Sequence, residues 1–340
     1  MGKQQDFSTQ AVLARVGVSN QWVKLRGGIR WEALRGILSA TDETGELGGR
    51  PPYDPVVMFR AVLLGQWHDL SDEELELVLR VRLDFQLFCD FTLSDEVPDK
   101  STLGLFRRKL ESKGVLGACL KTVNLELERL GLKVQSGRMV IDSTIIKSAA
   151  RPRNVIEVSE NDDTPPSATS SIDPDAAWTV KGKSFHYGYK EHAIVEVEQG
   201  YIEDVQVTPA NVHDGTMLRP IIKGRRKVRE VLADKAYDSK KNRALLKRRQ
   251  IKDGILQRAR RGHPLTPTEQ RRNSRLSRQR FTAEQQFGTK KRKFKFARAR
   301  YLGLAMVTAQ SFLKAICCNL LKASRQISVM PRAGPAWCSA

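Results

Sequence analysis

Two aspartates close short apolar runs: Asp142 in Met139-Val140-Ile141-Asp142-Ser143-Thr144 and Asp234 in Val231-Leu232-Ala233-Asp234-Lys235. A third acid, Glu284, lies in the strongly basic stretch from Arg280 to Lys291. A charge at the end of an apolar strand is costly to bury unless something pairs with it. Several hard oxygen donors converging on one place are what Mg²⁺ requires. Two such ions about 3.5–4 Å apart can neutralise the attacking and leaving oxygens of an in-line displacement at a phosphodiester. Each acid also has a plainer reading. Asp142 suits an Asx-type cap before Ser143 and Thr144, and Asp234, with Asp238, suits a cap for the helix that follows. Glu284 suits an ion pair with Arg280, one helical turn back.

The charge distribution points to a polyanion. Residues 221–300 hold 28 Lys+Arg against 6 Asp+Glu, whereas the other 260 residues hold 30 against 32, so the whole net charge of +20 comes from one segment. A confined basic segment is the footprint of a nucleic-acid-binding face. A ribosomal or membrane-surface protein would carry the same charge, so the acids direct the reading towards metal-assisted chemistry on a nucleic-acid phosphate. The five cysteines lack both metal-site spacing and the pattern of a disulfide framework, and Cys317-Cys318 suits core packing. The N-terminus has neither an apolar signal core nor a myristoylation site. The apolar stretch Tyr301–Leu321 is broken by Thr308, Gln310, Ser311 and Lys314, which predicts an amphipathic helix and no membrane span. A cytoplasmic protein is expected, with no membrane partner.

The elements that must position the acids follow from local pattern. Residues 1–135 read as helical: Pro55 opens a run with apolar residues at helical spacing, Ser71-Asp72-Glu73-Glu74 is a start signal, and Asp99-Lys100-Ser101-Thr102 opens another helix. Such helices serve a DNA-reading head or a packing and dimerisation unit equally well. From Arg138 the texture changes to strand candidates at 139–141, 186–197, 202–207, 230–233 and 251–256, with helices at 216–222 and 239–249. Residues 151–180, rich in Pro, Ser, Thr and Asp, predict a flexible insertion. A meander of strands followed by alternating helices and strands gives a mixed α/β sheet with flanking helices. The expected domains are a helical N-terminal domain at 1–135, a catalytic domain at 136–325, and a disordered tail at 326–340.

From about residue 50 to 325 the chain resembles the DDE-type insertion-sequence transposases of the insertion-sequence-five family. The resemblance is carried by Asp142-Ser143-Thr144, Gly188-Tyr189-Lys190-Glu191-His192, Thr208-Pro209-Ala210-Asn211-Val212-His213-Asp214 and Ala233-Asp234-Lys235-Ala236-Tyr237-Asp238-Ser239. It is also carried by a block in which Arg280, Glu284 and Lys291 keep the family's register while Ser277 stands where the family has Tyr. Pro98-Asp99-Lys100-Ser101-Thr102 and Phe106-Arg107 resemble the family's N-terminal domain. The resemblance implies a ribonuclease-H-like fold and a catalytic, metal-binding triad of Asp142, Asp234 and Glu284 holding two Mg²⁺ ions, for which Mn²⁺ can substitute. It implies double-stranded DNA partners (the element's terminal inverted repeats and the target) and a homodimer that pairs two ends.

Around the triad, Arg280, Lys291, Arg292, Lys293, Lys295 and Lys235 are expected to contact DNA, and Phe294 and Phe296 to anchor the basic segment to the core. His186, His192 and His213 lack a metal-ligand pattern and suit polar packing, with His213-Asp214 placed to cap a helix or orient DNA. Asp253 and Glu269 compete for the place of the third acid but lack the flanking Arg and Lys. A nuclease of the same fold without strand transfer, and a decayed, purely DNA-binding relative, are the alternatives to a transposase.

Overall fold

The computed structural model describes residues 7–39, 52–151, 172–225 and 227–328. The residues before the sheet form helices α1 (Phe7–Val16), α2 (Gln21–Gly28), α3 (Arg35–Ser39), α4 (Pro55–His68), α5 (Asp72–Val81), α6 (Leu83–Cys89), α7 (Lys100–Ser112) and α8 (Leu116–Arg129). Their starts are written locally. The Asp54 carboxylate accepts from the N–H groups of Val56 and Val57, with Pro55 in the first turn. Ser71 and Glu74 close a reciprocal capping box, and Asp99 accepts from the Thr102 N–H.

Six strands follow: β1 (Arg138–Lys147), β2 (Ala177–Lys181), β3 (Ser184–Glu196), β4 (Ile202–Pro209), β5 (Glu230–Ala233) and β6 (Lys252–Ile255). The long strand β3 lies antiparallel to β1 on one side, and to β2 and β4 on the other. On its far edge β1 pairs in parallel with β5, which pairs in parallel with β6. Helices α9 (Leu218–Ile222), α10 (Lys240–Arg248), α11 (Pro267–Arg292) and α12 (Leu304–Gln326) complete the chain. The result is the expected α/β class, a ribonuclease-H-like mixed sheet between helices after a helical N-terminal region.

Strand alternation assigns the faces. Met139, Ile141, Val231 and Ala233 pack with α9 and α10 through Leu218, Ile221 and Leu246. Val140, Leu232, Ala193 and Val195 point the other way, into the core built with α11, α12 and the N-terminal helices. Asp142 and Asp234 are two residues beyond Val140 and Leu232, and so belong to the α11 face.

Three expectations change in the folded chain. Strand β1 does not stop at Ile141 but runs to Lys147, because it pairs with β3 from Met139 through Lys147; Asp142 is therefore mid-strand. The segment expected to be irregular ends in strand β2, which borrows the exposed edge of β3 at Ser184–Gly188, while its interior, 152–171, lies outside the described residues. Helix α12 is more than amphipathic: it packs on α2, α4, α8 and β4, and its apolar stretch, long enough to cross a membrane, is 72% buried inside the fold. A helix apolar on nearly every side belongs in a core. Most of the expected tail, residues 329–340, also lies outside the described residues.

Candidate active site

The parallel register of β1 and β5 brings Ile141 opposite Ala233. The next residue on each strand is an aspartate, so two acids 92 positions apart in sequence become neighbours at the end of one ladder. Helix α11 packs across β1, β3 and β5 on the face to which both acids belong. Its buried residues are Leu276, Arg280, Ala283, Gln286, Phe287 and Lys290. Arg280, 9% exposed in its side chain, spans the pair: Nη2 lies 3.3 Å from Asp142 Oδ2 and Nη1 lies 3.5 Å from Asp234 Oδ1.

Each aspartate also accepts a local hydrogen bond, Asp142 from the Ser143 N–H at 2.9 Å and Asp234 from the Lys235 N–H at 2.6 Å. Asp234 thus caps the short turn Lys235–Tyr237, whereas Asp142 lies mid-strand and caps no helix, and α10 is capped by Ser239 in place of Asp234 or Asp238. Glu284 follows Arg280 by one helical turn and is exposed. Burial pushes the Asp142 carboxyl up; the Arg280 guanidinium and the Ser143 N–H oppose this, while the negative charges of Asp234 and Glu284 add to it. Both of the other expected acids therefore bear electrostatically on Asp142.

Polar satisfaction is incomplete here. Arg280 Nε and the Tyr237 hydroxyl are buried without a hydrogen-bond partner. Tyr237 is 1% exposed; burial pushes its hydroxyl pKa up, and the charges of Asp214 and Asp142 push it further. Behind the acids, on the opposite face of the sheet, Ser143 Oγ donates to Asp214 Oδ2 at 2.8 Å and Lys190 Nζ lies 2.9 Å from Asp214 Oδ1. Burial raises the Asp214 carboxyl, but these two donors outweigh it and hold it below its ordinary range. The His192 ring shares a hydrogen bond with Thr208 Oγ1 at 3.1 Å, and burial lowers its pKa to about 4, so the ring is neutral at pH 7. His213 caps the turn before α9 by accepting from the Gly215 N–H.

The competing acids are occupied elsewhere, Asp253 by Arg243 and Glu269 by a capping box with Thr266. Among the expected DNA contacts, Lys235, Arg292, Lys293 and Lys295 are exposed, Lys291 is half-buried, and Arg280 is buried against the aspartates. The basic segment is anchored as expected: Phe294 and Phe296 are 0% and 2% exposed, and burying such a side chain stabilises by about 1.5–3 kcal/mol. Beyond it, the Lys147 N–H donates to the Ala297 carbonyl and the Ala299 N–H to the Lys147 carbonyl, extending the end of β1.

Sequence reading missed Tyr237 and the buried pair Glu191–Lys290. The pair had a signal: Glu191 shares a strand face with Ala193 and Val195, and Lys290 falls on the stripe of Arg280, Ala283 and Phe287.

The donor set fits a divalent cation. It consists of hard carboxylate oxygens, and the ionised form of Asp142 is opposed by burial and by two like charges, a situation that a bound cation relieves. In this structure Arg280 supplies that neutralisation. Among the described residues no three His, Cys, Asp or Glu side chains are close enough to form a metal shell as they stand.

Comparison with known proteins gives four likenesses relevant to this chain. Residues 135–320 match the family described as "Transposase DDE domain", and residues 12–109 match "Transposase domain (DUF772)". The chain is 44% identical over 225 residues to the transposase for insertion sequence element IS1106 of Neisseria meningitidis serogroup B, covering 66% of this chain and 78% of that protein. A structural likeness at 10% identity and a TM-score of 0.44, over 92% of this chain and 77% of the other, is to a piggyBac transposase synaptic complex with hairpin DNA.

Proposed function

Since the chain belongs to the DDE-domain transposases of insertion sequences, we propose that it binds the terminal inverted repeats of its own element and cleaves and joins DNA there. The observation that carries this reading is the meeting of Asp142 and Asp234 under Arg280, with Glu284 one turn further along the same helix. Within the family, the motif blocks favour the insertion-sequence-five group.

Asp142, Asp234 and Glu284 would hold two Mg²⁺ ions, or Mn²⁺, whose chemistry is to make the attacking oxygen nucleophilic and to neutralise the leaving one. The chain's own part is positioning and charge. Strands β1 and β5 fix the two aspartates on rigid elements, which hold a site more accurately than loops do. Arg280 keeps their charge balanced in the resting protein. Lys235, Lys291, Arg292, Lys293 and Lys295 would grip phosphates beside the scissile bond, contacts that set register without reading bases. The N-terminal helices would bind the element's ends. Water attacks first, releasing a 3′-hydroxyl, and that hydroxyl then attacks target DNA at the same site. No protein nucleophile is required. Pairing two ends calls for a homodimer, working on the nucleoid of a prokaryotic cytoplasm. We also propose the functional boundaries 1–135 for end binding and 136–325 for catalysis.

The test is an in vitro reaction of purified protein, Mg²⁺ or Mn²⁺, and a labelled duplex carrying the inverted repeat that flanks the gene, followed by joining of a pre-cleaved end to a plasmid. Cleavage and joining that vanish in Asp234→Ala, with end binding retained, are expected. Cleavage by Asp234→Ala would remove the triad. Cleavage without joining would reduce the protein to a nuclease.

A further inference from the structure

Helix α11 carries a second cation on its buried stripe, ten residues beyond Arg280. Lys290 is 1% exposed, and its Nζ lies 2.6 Å from Oε1 of Glu191, which is 0% exposed. The other oxygen of Glu191 accepts from Ser311 Oγ on α12, also at 2.6 Å. The Lys290 carbonyl accepts from the Phe296 N–H, so the turn out of α11 is tied to the same point. Glu191 pairs across the sheet with Thr144, two residues beyond Asp142 on the same face of β1.

A buried ion pair is a weak source of stability, because desolvation consumes most of its attraction. It is, however, a directional constraint. Of the other buried contacts on this helix, Leu276, Ala283 and Phe287 are apolar and tolerate sliding or rotation, while Gln286 donates to the Gly200 carbonyl at 2.7 Å and ties α11 to the turn after β3. One residue of slip turns a helix by about 100° and shifts it about 1.5 Å, which would carry both Arg280 and Glu284 off the aspartates. Lys290 can meet Glu191 in one register only.

We propose that Glu191 and Lys290, braced by Ser311, are positioning residues for the reaction: they lock the rotation and axial position of α11, and through it set Arg280 and Glu284 against Asp142 and Asp234. This rests on the transposase reading above.

The discriminating variant is Glu191→Met/Lys290→Met, which replaces the pair by apolar side chains of similar volume. Such replacements usually leave a protein as stable or more so, so a purely structural role predicts an unchanged enzyme. The expected result is an unchanged or raised Tm and end-duplex binding within about threefold. Single-turnover cleavage at saturating duplex should be about 10–100-fold slower, the scale set by a misplacement of about 1 Å. Cleavage within twofold of the parent overturns the proposal. Should the double variant not fold, Ser311→Ala decides: a drop in cleavage at unchanged duplex affinity supports positioning, and no drop overturns it. Should the parent itself not cleave, the transposase reading falls separately, and amide exchange still tests the lock. Faster exchange along 280–292 in the double variant at equal Tm supports it; equal exchange overturns it.

Discussion

At each end of its buried stripe, helix α11 sets a cation against strand carboxylates, and the two ends are built to different standards. At the Lys290 end, donor and acceptor are both buried, the contact is 2.6 Å, and Ser311 takes up the remaining oxygen of Glu191. At the Arg280 end the contacts are 3.3 and 3.5 Å, Asp234 is 39% exposed, Arg280 Nε has no partner, and Glu284 stands in solvent. A closed network of this kind specifies an arrangement, because leaving any member unpaired is expensive. An open one keeps charges available. The difference fits the proposed chemistry at the Arg280 end and the proposed positioning role at the other, ten residues away on one rigid element.

The largest expected effect tests the open end. Asp142→Asn, Asp234→Asn and Glu284→Gln should each reduce cleavage of the end duplex by at least about 10³-fold, the upper range for removing a single electrostatic stabiliser. Asp142→Asn should not lower Tm, since burial and two neighbouring acids already oppose its charge. A cleavage-competent Asp142→Asn, or one that unfolds, would erase the distinction between the ends.

The closed end should behave oppositely. Lys290→Met alone strands a fully buried carboxylate and should cost about 3–5 kcal/mol in denaturant unfolding, whereas Arg280→Met, which leaves Asp234 39% exposed and Asp142 17% exposed, should cost less than that. Equal costs would break the comparison.

Acid sharpens it from the other face of the sheet. His192 titrates near 6.5 in the unfolded chain and at about 4 in the fold. Between those values the unfolded state binds more protons. Stability is therefore full above about pH 6.5 and declines as pH falls towards 4, by on the order of 3 kcal/mol. Urea titrations at pH 7 and pH 4.5 should show this loss, and His192→Gln should reduce it, the remainder coming from His68, which burial also lowers to about 4.

The smallest effect concerns the cation. Mn²⁺ at about a hundredfold excess over its dissociation constant should stabilise the protein by about 2.7 kcal/mol, read as a rise in Tm without DNA. Asp142→Asn should abolish the rise, while Glu191→Met/Lys290→Met should only weaken it. A rise retained in Asp142→Asn would place the ion elsewhere.

Local chemistry made much of this legible beforehand. The Ser71 cap, the Pro55 start, the strand at 230–233 and the helix at 239–249 are decided by residues within a turn or two of one another, and they stand as read. The order of motif blocks singled out the three acids proposed for the site and implied the ribonuclease-H-like class. The length of β1 was not legible, because Asp142, Ser143 and Thr144 look like the end of a strand until β3 supplies nine consecutive partners. Nor was the burial of α12, whose polar residues look solvent-facing but meet partners from distant elements: Lys314 donates to the carbonyls of Gln66 and Phe294, and Asn319 to that of Ile202.

What the sequence determined alone was chemistry by type and order: three acids, a confined basic segment, and the elements that carry them. Tertiary structure decided which of two adjacent lysines, 290 or 291, became a buried anchor, and that Arg280 would face the aspartates while Arg278 faces water. The physical reason is helical phase. Neighbours in sequence lie about 100° apart around the axis, and only docking against strands about a hundred residues away chooses the side that faces inward.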